Sequence, residues 1–333
     1  MWRDLTDPRT AISGEDLEAG LKEPTFENLE LAEEFGPVQV VVDDHKVKRF
    51  AFTQDDYNPW SFNAGPEGFR VGQAGLLTND IVQLFTTKYR ASHTVGLHTE
   101  EQIWFHTPVR VGEIVTFQGA YTDAYERRGQ GYVVMDATAR GEDGRVLFTH
   151  RGIEIFRTRP GGLVGRASAP VAGPRVTGET DGSLRPATVA STKLEPGTQI
   201  APLYKTITHE QAAVFSRAGE FVRNVHNDLD IARASGLAIP IVQGQQQYCL
   251  IAELLSHFFG YRFLSEGWLH CKFINALDVF DPVDVSGVVT GVADRDGTAV
   301  MTVDVWVRRS DGILTVVGWA SCPVADSGPE NRR

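Results

Sequence analysis

The sequence predicts two similar α+β domains in one chain, each a long-stranded antiparallel sheet closed around one apolar helix. Three observations carry this. Residues 105–144 align with residues 273–312 without a gap, so that Phe105 meets Phe273, Gly119 meets Gly287, Arg140 meets Arg308 and Asp143-Gly144 meets Asp311-Gly312. A single repeat of that size duplicates a whole small domain rather than a short stacking unit. In each copy one apolar helical stretch comes first and long alternating strands follow it. Between the copies, residues 160–190 are rich in Gly, Pro, Ala, Ser and Thr, the composition of an extended linker.

The elements follow in order. Residues 14–35 carry many Glu and Leu with Ser13 as a cap, and read as one or two short helices in an amino-terminal extension over 1–36. The first domain, 37–159, opens on the alternation Val38, Val40, Val42. A helix is expected over 76–89, with Leu77, Ile81, Leu84 and Phe85 on one face. Strands then run to 157, and Asp143-Gly144 between two of them is a hairpin signal. The second domain, 191–325, repeats the plan. A short strand at 204–208 precedes a helix starting at Thr208, and a long helix over 246–259 puts Leu250, Ile251, Leu254, Leu255 and Phe258 on a broad apolar stripe. Strands follow over 269–273, 284–293, 299–308 and 314–322, then a polar tail at 326–333. Sheets wrapped around a buried helix, made twice, form a double hotdog. The expectation is two antiparallel sheets in a pseudo-dimer whose exposed edges pair with each other.

Composition narrows the function. The net charge of −11 argues against a nucleic-acid partner. No apolar run is long enough to span a bilayer and the first residues lack the apolar core of a signal peptide, so a cytoplasmic protein is expected. Cys249, Cys271 and Cys322 lack metal-site spacing and read as reduced thiols. Gly129-Gln130-Gly131 sits between strands, as a hairpin rather than a nucleotide loop. His93, His98 and His106 are spread along a loop and a strand, and no metal or cofactor is expected.

One loop carries more. Asp56-Tyr57-Asn58-Pro59 resembles the Asp-x-Asn-Pro-x-His loop of MaoC-like hydratases and dehydratases, the group that includes R-specific enoyl-CoA hydratases. In the second copy, His226-Asn227-Asp228 resembles the end of the same loop. It runs into residues 236–244, similar to the family's glycine-containing entry to the central helix. Residues 107–113, Thr-Pro-Val-Arg-Val-Gly-Glu, resemble the family's Pro-Val-x-x-Gly-Asp strand. Each copy departs from the pattern. Ser61 stands where the first histidine belongs, and Phe221 and Arg223 stand where the second copy would have Asp and Asn.

The resemblance implies a hydratase or dehydratase acting on acyl thioesters of CoA or a carrier protein, without a cofactor, in a fold that pairs into homodimers. Such chemistry needs a base for water, an acid for the α-carbon and donors for the thioester oxygen as enolate charge develops. His226 is the candidate base, with Glu220 or Asp228 as its carboxylate; the bland alternative makes His226 a loop histidine and Asp228 a helix cap. Backbone N–H groups at Gly244 and its neighbour Gln243 are the candidate oxyanion donors. Arg223 is a candidate for a substrate carboxylate or CoA phosphate, or a solvated loop arginine. Asp56 and Asn58 either line a pocket or form an ordinary turn before Pro59. A different reading is a hotdog protein of a biosynthetic pathway that binds an acyl or polyketide intermediate, either without turnover or to cyclise or eliminate it.

Overall fold

The computed structural model describes residues 18–90, 93, 96–127, 129–157, 175–216 and 224–325. In the first half the strands are β1 (Glu34–Val41), β2 (Leu97–Phe105), β3 (Ile114–Arg127), β4 (Gln130–Arg140) and β5 (Val146–Arg157). In the second they are β6 (Gln199–Thr206), β7 (Trp268–Phe273), β8 (Pro282–Arg295), β9 (Thr298–Arg309) and β10 (Leu314–Pro323). All pair antiparallel, in the order β1-β3-β4-β5-β2-β7-β10-β9-β8-β6. The order reads the same from either end once each strand is matched with its copy.

The two sheets meet through their edges, as expected, and so form one continuous sheet rather than two. β2 and β7 pair along Glu100↔Lys272 to Trp104↔Trp268, and the halves share one ten-stranded sheet. Each copy alone would present this strand's backbone donors and acceptors to solvent, and joining satisfies them. The duplicated hairpins match in detail. Gly144 and Gly312 both adopt positive φ, 81° and 87°, and Asp143 Oδ1 and Asp311 Oδ1 each accept from the backbone N–H two residues on.

The helices differ more than the strands. In the first half α1 (Asp44–Gln54), α2 (Pro59–Phe62) and α3 (Thr78–Val82) lie on the inner face, and a 3-10 turn, Gln83–Thr87, continues α3. The long helix expected over 76–89 is therefore broken, although Leu77, Ile81, Leu84 and Phe85 are buried as expected. Thr78, Thr86 and Thr87 turn their hydroxyls back to the carbonyls of Gly75, Gln83 and Leu84, bonds that compete with a regular helical ladder. In the second half α4 (His209–Phe215) starts with a reciprocal cap between Thr208 and Gln211. It is followed by α5 (Leu229–Ala234), α6 (Gly244–Phe259) and α7 (Phe263–Glu266). α6 is the one long helix among the described residues; its Leu250, Ile251, Leu254, Leu255 and Phe258 are all buried.

The helical extension is also corrected in its described part. From residue 18 to β1 only a 3-10 turn, Phe26–Asn28, is helical. Pro24 and the absence of an apolar stripe leave nothing to bury a helix, and Lys22 instead pairs with Glu30 and Glu33. Residues 1–17, residues 160–174 of the linker and the tail from 326 lie outside the described residues. From 175 the linker runs extended along the second half, where Arg308 holds the Gly178 carbonyl.

Candidate active site

The two copies can be superposed by one backbone bond. Val71 N–H donates to Trp60 O in the first half, and Ile241 N–H donates to Val225 O in the second. The next residues along, Ser61 and His226, are therefore positional counterparts. Ser61 is buried, with its hydroxyl unpaired. His226 places Nδ1 2.8 Å from Ile241 O, so Nδ1 carries the hydrogen and Nε2 keeps its lone pair. Burial pulls its pKa below the ordinary histidine value, against the Ile241 bond. The ring is held as a neutral imidazole in one tautomer, the state required of a base.

Ile241 lies three residues before the start of α6. Gln243 at the cap position makes no side-chain cap bond, which leaves the first-turn N–H groups of this helix as open donors with the positive end of the helix dipole behind them. Gly244 suits a close approach: a Cβ there would lie 3.0 Å from the Phe273 ring, which would have to shift slightly. The side-chain oxygens of Gln243, Gln245 and Gln246 are buried at the same end without donors.

Asp228 caps α5, accepting at 3.0 Å from both Asp230 N–H and Ile231 N–H. This is the structural role that the sequence held open for it. Asp228→Ala is expected to cost about 1 kcal/mol of stability, read as a lower denaturant midpoint with unchanged slope. Glu220 and Arg223 lie outside the described residues.

Asp56 and Asn58 are both buried. Asn58 caps α2 through Trp60 N–H, and Asp56 accepts from Asn58 N–H. Asp56 does not line the small space beside Leu77. The space at the first half's entry, lined by Gly72, Gln73, Leu77, Phe105 and Leu264, is only about 10 Å³. Asp56 instead meets Glu253 and His257 of α6, with Lys205 of β6 bonded to Glu253 at 2.8 Å. Burial pushes the Asp56 carboxyl up to about 6, against the pull of Lys205 and Asn58 N–H. Burial, then the neighbouring Asp56, push Glu253 up to about 8.

A second polar group was missed by sequence reasoning. Glu101, fully buried on β2, receives His150 Nε2 at 2.9 Å and His98 Nε2 at 3.1 Å on one oxygen, and Gln245 Nε2 at 3.3 Å on the other. Burial pushes its carboxyl up, but the charge and hydrogen bond of His150, then those of His98, hold it below the usual range. Burial lowers His98 and the Glu101 bond more than restores it, to a net rise. This network touches the first turn of α6 through Gln245, and the His98 ring packs 4.9 Å from the same Phe273 that meets Gly244. The signal was present in the alternation Thr99, Glu101, Ile103, Phe105, which puts Glu101 on the apolar face of its strand.

Known proteins were compared with this geometry. No curated protein matches the chain. Among solved structures it is similar to a MaoC-like dehydratase, at 16% identity and TM-score 0.69, over 91% of this chain and 100% of the other. A protein of Mycobacterium tuberculosis described as a double hotdog fold aligns at 13% identity and TM-score 0.61, over 90% and 98% of the two chains. The fold is the MaoC-like double hotdog. A MaoC domain protein from Chloroflexus aurantiacus, described as a dehydratase, gives 12% identity and TM-score 0.65 over 91% of this chain and 97% of its own. Residues 31–150 match the family model described as the FAS1-like dehydratase domain region. That match marks a dehydratase-like domain region in the first half, with its substrate unspecified.

Proposed function

We propose that this chain hydrates or dehydrates an acyl thioester, carried by CoA or a carrier protein, at one site in its second half. The observation that carries the reading is His226, with Nε2 as its basic nitrogen, fixed by the carbonyl of Ile241, a residue three positions ahead of a helix start without a side-chain cap. In the hydration direction His226 Nε2 takes a proton from water as the water oxygen bonds to the β-carbon. The π electrons move onto the thioester oxygen, where N–H groups of the first turn of α6 stabilise the charge. The enolate collapses as the α-carbon takes a proton from an acid, the role proposed for Glu220. Dehydration is the same path reversed. Arg223 is proposed to meet an anionic part of the substrate or carrier.

The first half would then support the site without turning over substrate, since its histidine position is Ser61 and its entry space is about 10 Å³. Ser61→His alone is expected to add no second activity: turnover per chain stays unchanged with the second site intact, and none appears when His226 is removed. The reading is tested by following the conjugated thioester absorbance of crotonyl-CoA and longer enoyl-CoA esters. Saturable loss of absorbance is expected; a folded protein inert to every ester sinks the hydratase reading. The division of the signature between the halves favours one alternative, a biosynthetic hotdog protein that binds its acyl or polyketide ligand without hydrating it. Binding of an acyl thioester without turnover would select that reading.

A further inference from the structure

We propose that Asp56, Glu253 and His257 bind a first-row divalent transition metal of the zinc class and so clamp the first half's signature loop to the second half's central helix. The ligand atoms of these three side chains all lie within 4.8 Å of one another. Glu253 and His257 are four residues apart on α6 and project from the same face of the helix, while Asp56 comes from the loop between α1 and α2. Zinc bonds of about 2.0–2.2 Å to N and O donors place ligand atoms roughly 3.3 Å apart in a tetrahedral shell. Small side-chain rotations therefore close the site, with water completing the shell.

Two further observations point to a missing cation. Glu253 is 6% exposed, and its Oε2 has no hydrogen-bond partner, although Oε1 is held by Lys205. A buried carboxylate oxygen without a donor carries a desolvation penalty that a metal bond removes. The charge also fits. Asp55, Asp56 and Glu253 act on one another here, and Lys205 Nζ is the single ammonium among them, bonded to Glu253 and to the carbonyls of Gln54 and Asp55. Carboxyls outnumber the ammonium here, an imbalance that a bound dication offsets. Mixed imidazole and carboxylate donors favour zinc and its neighbours over calcium or magnesium. His257 is exposed, so the ion has a path from solvent.

The test is equilibrium dialysis of the chelator-treated full chain against Zn²⁺, with one bound ion per chain expected. Loss of even an outer-shell partner costs about 10–100-fold in metal affinity, so His257→Gln and Asp56→Asn should each weaken binding by at least that much. His257→Gln is the main variant because its side chain lies at the surface and its loss leaves the fold intact. Zn²⁺ should raise the melting temperature of the wild-type chain and not that of His257→Gln, as a clamp between the halves requires. Co²⁺ should give visible absorption bands that the same variant abolishes. Absence of stoichiometric uptake, or undiminished affinity in both variants, overturns the proposal.

Discussion

His226→Ala is expected to lower turnover of an enoyl thioester by roughly 10²–10⁴-fold, the usual worth of a positioned acid–base group. The Ile241 bond sets the ring's tautomer, so a second variant separates chemistry from packing. His226→Gln keeps a group of similar reach that can donate to Ile241 O but has no basic nitrogen, and it should be as inactive as the alanine variant. The pH dependence has a definite sign. Burial lowers the pKa of His226, so the free-base form prevails at neutral pH, and the acid limb of kcat/KM should lie below the ordinary histidine value of about 6.5. Activity is lost as pH falls through that limb. A limb above 6.5, or one that persists in His226→Gln, would assign the titration to another group.

Glu101→Ala should be among the most destabilising single substitutions in the chain. It strips His98, His150 and Gln245 of a common acceptor in the interior. Removing one partner of a buried pair costs about 3–5 kcal/mol, measurable as a fall in the chemical-denaturation midpoint. The loss should also depend on pH. In the wild type the net pKa of His98 is raised, so its contribution is fully present below the unfolded value of about 6.5 and fades as pH rises through the folded value. Without Glu101 the ring loses the largest influence that opposes burial, and its pKa falls. The variant should then be most impaired on the acid side, where the ring would have to carry an unpaired charge. A loss below 1 kcal/mol, equal at pH 5 and pH 8, would show that the network contributes little.

Legibility of the sequence was uneven for physical reasons. The repeat and hairpins were readable because Asp143-Gly144 and Asp311-Gly312 encode their turns locally, through positive φ and an acceptor two residues back. The stripe on α6 was readable from its period. The helix expected over 76–89 was not, because its apolar face survives in the α3 and 3-10 turns while Thr86 and Thr87 divert the backbone. His226 was found from a motif, and its bond to Ile241 O depends on a loop closure that no local pattern reports. Glu101 and the Asp56–Glu253 contact were missed for another reason. Glu101 reaches His150 and Gln245 across 49 and 144 positions, and Asp56 meets a helix in the other half of the chain. Alternation could have placed Glu101 on the inner face, but of its partners only His98 lies near it in the chain.

The mirrored strand order in one covalent chain has a consequence for inheritance. In a dimer of identical subunits each codon specifies two equivalent places, so any substitution that disables one site disables its twin. Here the halves are written separately. Ser61 could replace an imidazole, and the helix after residue 76 could break, while His226 and α6 stayed intact. On the reading proposed here, fusion lets one half give up catalysis and serve only to support the other.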